Sequence, residues 1–263
     1  MSVISPVAAS LEGKKGLILG IANDQSIAWG CAKAFRELGA ELAISYLNEK
    51  AKPHVQPLAD ELGCEIFEPV DVRGEGELKA MFEKIGEKWG KLDFVLHSIA
   101  FAPREDLHGR ITDVSRDGFM QAMDVSCHSF IRVARYAEPL MEAAGGGTLI
   151  TMSYFGAVRV IDNYGVMGPV KAALESVTRY LAAELGPKHI RVHAVSPGPI
   201  KTRAASGINR FDELMEQAAE RAPVHRLVTI EEVGYTTAFL CTKGARGITG
   251  NTIYVDGGFS IVG

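Results

Sequence analysis

Short apolar runs alternate with longer amphipathic runs from Lys15 to the end of this 263-residue chain. The short runs have the length of buried strands, and the long runs carry the apolar spacing of helices. Strands are predicted at residues 15–21, 41–47, 64–70, 92–98, 147–152, 190–196 and 251–255. Helices are predicted at residues 26–38, 49–62, 75–89, 115–143, 164–186 and 230–242. This order predicts a Rossmann-type α/β fold, a doubly wound, seven-stranded parallel sheet with helices on both faces.

One interruption of the alternation is long. Residues 197–222 open with the motif Ser196-Pro-Gly-Pro and carry apolar side chains without a clear strand. Long loops in compact domains usually have a function, so this stretch is predicted to be a substrate-binding lid. Because the chain has no repeat, linker or low-complexity tract, residues 1–263 are expected to form a single domain.

Composition narrows the classes of protein. Hydrophobic residues make up 47% of the chain and charged residues 23%, as in an ordinary globular protein. The net charge of -4, with no basic run, argues against a nucleic-acid partner. The four cysteines form no CxxC pair, so neither a metal site nor a disulfide is expected. No apolar run approaches the ~20 residues of a membrane span, and a cytoplasmic location is predicted.

The end of the first predicted strand carries a candidate phosphate site. Gly20 ends the strand, and Ser26 and Ile27 open the following helix. Backbone N–H groups at a helix start bind the pyrophosphate of dinucleotides. The next glycine is Gly30, a departure from the usual G-x-G-x-x-G spacing, so a plain tight turn with Ser26 as a helix N-cap fits the motif equally well.

The ends of the second and third strands bear on the choice of nicotinamide cofactor. Residues 45–50 contain no arginine to bind a ribose 2′-phosphate, which favours NADH, although Lys50 and Lys52 leave NADPH open. Glu49 is either a ribose ligand or a solvated carboxylate. Asp71 and Val72 are candidates for the adenine site, and an N-cap role for Asp71 is the alternative.

A tyrosine and a lysine supply the candidate chemistry. Tyr164 precedes Lys171 by seven residues, and no tyrosine of the chain is followed by lysine at the fourth position. On one helix, seven residues would place both side chains on the same face, roughly 10 Å apart along the axis. Both would then border one nicotinamide. The alternative is a buried tyrosine and an unrelated surface lysine.

Four motifs together resemble the bacterial NADH-dependent enoyl-acyl-carrier-protein reductases, a divergent branch of the short-chain dehydrogenase/reductase superfamily. They are Gly20-Ile-Ala-Asn-Asp-Gln-Ser-Ile-Ala-Trp-Gly30, His97-Ser-Ile-Ala-Phe-Ala-Pro103, Tyr154-x9-Tyr164-x6-Lys171 and Ser196-Pro-Gly-Pro-Ile-Lys-Thr202. The resemblance covers essentially the whole chain and includes Asp256-Gly-Gly258 near the C-terminus. It implies an enzyme that reduces the 2,3 double bond of enoyl thioesters on acyl carrier protein, and a homotetramer.

The resemblance also implies a role for each matching residue. The catalytic residues would be Tyr154, Tyr164 and Lys171. Tyr164 would be the catalytic phenol that contacts the substrate, Lys171 would bind the cofactor ribose, and Tyr154 would line the active site beside the acyl substrate. Ala102 would contact the substrate as well. The implied NAD contacts are Gly20, Ser26, Ile27, Asp71, Val72, Ile99, Lys171, Ile200, Thr202 and Ala204.

Two other functions remain open from the sequence. A 3-oxoacyl or other carbonyl reductase would share the fold, cofactor and carrier, but the missing Tyr-x-x-x-Lys argues against it. A non-catalytic NAD-sensing protein could use the same fold as a binding module, and the retained tyrosine and lysine argue for an enzyme instead.

Overall fold

The computed structural model describes residues 6–202 and 211–262, and these form one parallel sheet. Its strands are β1 (Lys15–Leu19), β2 (Glu41–Tyr46), β3 (Ile66–Pro69), β4 (Phe94–His97), β5 (Gly147–Met152), β6 (Ile190–Pro197) and β7 (Thr252–Val255). They lie in the order β3-β2-β1-β4-β5-β6-β7, and every neighbouring pair is parallel. The predicted fold class and all seven predicted strands are confirmed.

The helices of the described residues mostly follow the prediction. They are α1 (Ile27–Glu37), α2 (Lys52–Glu61), α3 (Glu75–Trp89), α4 (Arg104–His108), α5 (Arg116–Met123), α6 (Ser129–Ala143), α7 (Met167–Leu185), α8 (Phe211–Arg221) and α9 (Ile230–Leu240). A π-helical segment, Asp124–His128, joins α5 to α6, so the predicted helix at 115–143 is one helical stretch with a wide turn inside it. No helix within the described ranges combines the length and the apolar character needed to cross a bilayer.

Both faces of the sheet are covered by helices. Successive side chains of a strand point to opposite faces, and β1 shows this directly: Leu17 and Leu19 join one core cluster, and Ile18 joins the other. The first cluster includes residues of α3, α6 and α7, and the second includes residues of α1, α2 and α9. Burial on both faces explains why the strands read as apolar runs without alternation.

Two predictions about helices are wrong. The helix predicted from residue 164 begins at Met167, so Tyr164 lies in the preceding turn. Pro169 explains the late start, because its missing N–H is tolerated in the first turn of a helix but would break a hydrogen bond in the interior. The stretch at 197–222, predicted as a loop, contains α8. The short helix α4 was not predicted.

Candidate active site

The carboxyl edge of the sheet carries the candidate site residues. The chain leaves β1 and β4, which are neighbours at the centre of the sheet, toward opposite ends of the strand order. In doubly wound folds, such a reversal opens a crevice at the carboxyl ends of the strands, where ligands bind. The structure brings to this edge the segments that follow β1, β3, β4, β5 and β6, and with them the candidates at residues 20–27, 71–72, 99–102, 154 and 200–202.

The turn between β1 and α1 carries the predicted phosphate site. Gly20 has φ +105°, and a Cβ there would lie 2.1 Å from the Ser98 carbonyl oxygen, so only glycine fits. Ser26 occupies the N-cap of α1, but its side chain makes no capping bond to the helix. Its hydroxyl instead accepts the backbone N–H groups of Ala22 and Asn23 at 3.0 and 3.1 Å. The first turn of α1, which begins at Ile27, therefore suits the pyrophosphate of a dinucleotide.

Asp71 and Val72 lie after β3 and are fixed by arginines. Asp71 is not the N-cap of α3, which is Gly74, so the N-cap alternative is wrong. Its carboxylate accepts the backbone N–H of Arg73 at 3.0 Å and also binds the Arg73 side chain, which lowers the pKa of the Asp71 carboxyl. The buried Arg132 guanidinium donates to the Val72 carbonyl oxygen. An ionised Asp71 can accept a hydrogen bond from an adenine amino group.

Residues 45–52, at the end of β2 and after it, contain no arginine. Leu47 follows the strand and is 52% exposed. Among the nearby cations, Lys52 lies 3.7 Å from the Glu49 carboxylate and over the Tyr46 ring, whose hydroxyl also donates to Glu49 at 3.3 Å. Glu49 and Lys52 are thus engaged with each other and with Tyr46, which leaves the exposed Lys50 as the remaining cation of residues 45–52.

The segment after β4 carries Ile99 and Ala102. Both are half-buried and pack against the core cluster that includes α6 and α7. Ser126, in the π-helical segment, fixes this loop: its hydroxyl accepts the Phe101 N–H at 2.9 Å and donates to the Phe101 carbonyl oxygen at 3.1 Å. The wide turn of the π-helix therefore supports the loop that borders the candidate nicotinamide and substrate positions.

Tyr154 and Tyr164 form an aromatic pair, in which Tyr164 is buried and Tyr154 is half-buried. Their ring centroids are 4.9 Å apart with an interplanar angle of 59°. Burial raises the pKa of Tyr154 to about 12, and burial also raises the pKa of Tyr164 well above its usual value. Both phenols therefore stay protonated at neutral pH. The Tyr154 hydroxyl is buried and has no hydrogen-bond partner among the described residues, which is costly unless a ligand provides one.

Lys171 is buried, contrary to the alternative of a surface lysine. The residue is 5% exposed, and its ammonium donates to the Met152 carbonyl oxygen at 2.5 Å. Burial lowers the pKa of Lys171 to about 8, against the opposing influence of Cys127 and Glu175. An ammonium has three donors, so Lys171 can keep the bond to Met152 and still bind a ribose diol. Its buried position is therefore compatible with a nicotinamide riboside beside Tyr164.

The predicted lid is only partly described. Ile200 is half-buried and packs against the cluster of α1 and α9, Thr202 is half-buried, and Ala204 lies outside the described residues. Farther along, Ala218 and Ala222 pack with Phe259 in a small cluster that also contacts Phe155. The helix α8 thus adjoins the residue that follows Tyr154, which is where a cover over an acyl chain would lie.

The family follows from a comparison of the whole chain with known proteins. Residues 20–260 match the family model described as enoyl-(acyl carrier protein) reductase. The chain belongs to this reductase family. The resemblance noted in the motifs is confirmed, because the match includes the glycine turn, the Tyr154–Lys171 motif and the C-terminal Asp256-Gly-Gly258.

Individual reductases are similar over nearly their full lengths. The chain is 46% identical over 253 residues to the "Enoyl-[acyl-carrier-protein] reductase [NADH] 1" of Rhizobium meliloti, covering 96% of this chain and 92% of that one. A crystal structure of the Anaplasma phagocytophilum reductase in complex with NAD is 45% identical, with a TM-score of 0.91 and 96% coverage of both chains. A Bacillus cereus reductase structure with NADP+ and indole naphthyridinone is 44% identical, with a TM-score of 0.93 and coverage of 96% and 98%.

The structure of this reductase also shows buried polar groups that sequence reasoning missed. His97 is fully buried, with Nδ1 3.0 Å from the Thr151 hydroxyl and Nε2 2.7 Å from the Ser129 hydroxyl. Because Ser129 donates its proton to the Val125 carbonyl oxygen, Nε2 must be the protonated nitrogen. Burial lowers the pKa of His97 to about 3, so it is a neutral structural link and not a general acid.

A second missed group is Glu175. The residue is 6% exposed, lies one helical turn after Lys171 on α7, and accepts the Ser153 hydroxyl at 2.5 Å. A glutamate inside an amphipathic helix usually faces solvent, and only its four-residue spacing from Lys171 gave a signal in the sequence.

Proposed function

We propose a role for each residue of this site in the reaction of the family. The chain is an NADH-dependent enoyl-acyl-carrier-protein reductase, which saturates the 2,3 double bond of enoyl thioesters. The observation that supports the assignment of roles is the contact between the Tyr154 and Tyr164 rings after β5, together with the buried Lys171, which donates to the carbonyl oxygen of Met152 two residues before Tyr154.

Tyr164 is the proposed donor to the substrate. Bound NADH would supply a hydride to C3 of the enoyl thioester, which moves negative charge onto the thioester oxygen, and a proton from solvent would then add at C2 to complete the saturation. A hydroxyl aimed at that oxygen stabilises the charge as it develops. Burial, together with the nearby Glu175 carboxylate, raises the pKa of Tyr164, so the phenol remains a donor and does not become a competing anion. Tyr154 is proposed to line the acyl pocket beside it.

Lys171 is proposed to bind the ribose hydroxyls of the cofactor. A compact ammonium suits two adjacent hydroxyls and adds positive potential close to the developing enolate. Its bond to the Met152 carbonyl oxygen fixes the side chain at the end of β5, next to the segment that carries Tyr154. The lysine thus acts on the cofactor first and on the oxygen only through its charge.

The other predicted site residues are proposed to contact the cofactor and the acyl chain. The pyrophosphate would lie at Gly20, Ser26 and Ile27, and the adenine at Asp71 and Val72. The nicotinamide would lie among Ile99, Lys171, Ile200 and Thr202, with Ala204 outside the described residues. Ala102 would contact the acyl chain. The supporting observations are the uncapped start of α1 and the Arg73-bound Asp71.

The proposal includes a lid, an assembly and a location. Residues 197–222 would form a lid over the acyl chain. The packing of α8 near Phe155 supports this placement. The reductase would act on thioesters of acyl carrier protein as a homotetramer, as its family resemblance implies, and in the cytoplasm, as its sequence predicts. Light scattering coupled to size-exclusion chromatography measures the assembly, and a monomeric mass for the active enzyme would contradict it.

The test of the function compares two thioesters. NADH oxidation is followed spectrophotometrically with crotonyl thioester and, separately, with acetoacetyl thioester. The reductase should oxidise NADH rapidly with the crotonyl substrate only. Faster turnover of the acetoacetyl substrate would indicate a carbonyl reductase, and NADH binding without turnover of either would indicate a sensing protein.

A further inference from the structure

Two charged side chains of α7 contact consecutive residues at the end of β5. The Lys171 ammonium donates to the Met152 carbonyl oxygen at 2.5 Å, and the Glu175 carboxylate accepts the Ser153 hydroxyl at 2.5 Å. We call these two contacts the β5 clamp. The next residue along the chain is Tyr154, so the clamp lies directly before the active-site aromatic pair.

The burial of Glu175 calls for a reason beyond packing. An ionised carboxylate removed from water costs several kcal/mol unless it is paired or hydrogen-bonded. Glu175 is 6% exposed, and Lys171, four residues earlier on the same helix face, is 5% exposed. A leucine of similar volume would fill the same space on α7 without that cost. The carboxylate therefore contributes something that an apolar side chain cannot, which is its bond to Ser153.

Ser153 transmits this bond to the active site. Its backbone N–H donates to the Val195 carbonyl oxygen of β6 at 2.7 Å, so the main chain of Ser153 is fixed to the sheet and its side chain to α7. The Tyr154 ring then lies 4.9 Å from the Tyr164 ring. A shift of Ser153 would move Tyr154 and, through the ring contact, the Tyr164 hydroxyl.

We propose that Glu175 is a positioning residue for the reduction step, which acts by accepting the Ser153 hydroxyl and so fixes Tyr154 against Tyr164. The proposal rests on the role given to Tyr164 under the proposed function. Glu175 touches neither the substrate nor the cofactor in this scheme. Its negative charge acts in the same direction as the clamp, because a nearby carboxylate disfavours the phenolate form of Tyr164.

The experiment separates the bond from the charge. Glu175→Gln removes the charge but keeps an oxygen that accepts the Ser153 hydroxyl, so its kcat should stay within about threefold of wild type. Adding Ser153→Ala to that variant removes the bond, and kcat should fall about tenfold further, since small misplacements of reacting groups cost large factors in rate. The dissociation constant for NADH should change less than about twofold in both.

A second double variant controls for loss of folding. Ser153→Ala combined with Glu175→Leu removes both partners together, which leaves neither side of this bond unpaired and should keep the melting temperature near that of wild type. It should show the same loss in kcat. Glu184→Gln, an exposed glutamate on the same helix, is the matched control and should leave kcat and NADH binding unchanged.

Two results would overturn the proposal. One is wild-type kcat in either double variant, and the other is a Glu175→Gln variant as slow as the double variants. Tyr164→Phe distinguishes this failure from a failure of the proposed function. If Tyr164→Phe is slow and the double variants are not, only the positioning role proposed for Glu175 is wrong. A fast Tyr164→Phe variant would contradict the catalytic assignment itself.

Discussion

The substitution Tyr164→Phe tests the catalytic assignment most directly. It deletes one hydroxyl and keeps the ring, which is 8% exposed and belongs to the main core cluster. The ring contact with Tyr154, at 4.9 Å between centroids, should therefore survive. Because the change is confined to one donor, any loss of rate reports on the hydroxyl and not on a repacked core.

The expected magnitude follows from the charge that the hydroxyl faces. Removing one donor from an oxyanion site typically costs about 10²–10³ in kcat, or about 2.7–4 kcal/mol. The buried setting of Tyr164 favours the upper part of that range, because hydrogen bonds to developing charge are stronger where water is excluded. The Tyr154 hydroxyl could reduce the loss, since it is buried nearby and has no partner among the described residues.

The assay is steady-state NADH oxidation with crotonyl thioester, together with NADH binding by fluorescence. Tyr164→Phe should lower kcat and leave the NADH dissociation constant nearly unchanged, and Tyr154→Phe should cost less. Tyr136→Phe, whose ring stacks on Phe82 in a different part of the core, is the matched control and should behave as wild type. If Tyr154→Phe is the more damaging variant while both fold and bind NADH normally, the roles assigned to the two tyrosines are wrong.

Three further predictions concern the cofactor and the approach to Tyr164. Lys171, whose ionisable neighbours are Cys127, Glu175 and His97, has its pKa lowered to about 8. It is charged below that pH and loses its charge as the pH rises through it. The affinity for NADH should therefore weaken between about pH 7 and 9.5. Lys171→Arg should flatten this dependence because the guanidinium stays charged, Lys171→Ala should bind NADH weakly at every pH, and an equally steep profile in the arginine variant would contradict the assignment. Leu47→Arg should shift kcat/KM toward NADPH, and a wild-type preference for NADPH would refute the cofactor argument from the end of β2. Gly156→Ala should lower kcat about tenfold or more, because its Cβ would lie 2.5 Å from the Tyr164 ring, whereas Gly247→Ala, which points into open space, should have no effect; equal rates in the two would show that the ring position does not matter.

The strands were predictable because burial on both faces of the sheet gives each strand a continuous run of apolar residues. A parallel strand covered by helices must be apolar along its whole length, and β1, β2, β4 and β5 contain mainly such residues. Candidate site residues were predictable for a related reason, since ligands of doubly wound sheets bind where strands end. Gly20, Asp71 and Tyr154 each lie directly after or near such an end.

Other features left a weaker record in the sequence. The helix α8 shows apolar residues at helical spacing, Leu214, Met215 and Ala218, but the preceding Ser196-Pro-Gly-Pro motif suggested a loop throughout. The π-helical segment Asp124–His128 has no residue pattern that distinguishes it from an α-helix of the same length. The Glu175–Ser153 bond joins residues 22 positions apart on different elements, and only three-dimensional packing brings them together.

The separation of donor and lysine has a structural reason that the spacing alone did not reveal. A Tyr-x-x-x-Lys motif within one helix would fix both side chains on that helix, about 6 Å apart along its axis. Here Lys171 lies on α7, whereas Tyr164 lies in the turn before it, against Tyr154 and the backbone of Gly156. The hydride acceptor of an enoyl thioester is two bonds farther from the oxygen than a carbonyl carbon is, and a turn can place a donor at that distance where helical geometry offers only fixed steps of about 1.5 Å per residue. Changes in the turn at residues 155–165 should therefore act on kcat, and changes at Lys171 should act first on cofactor binding.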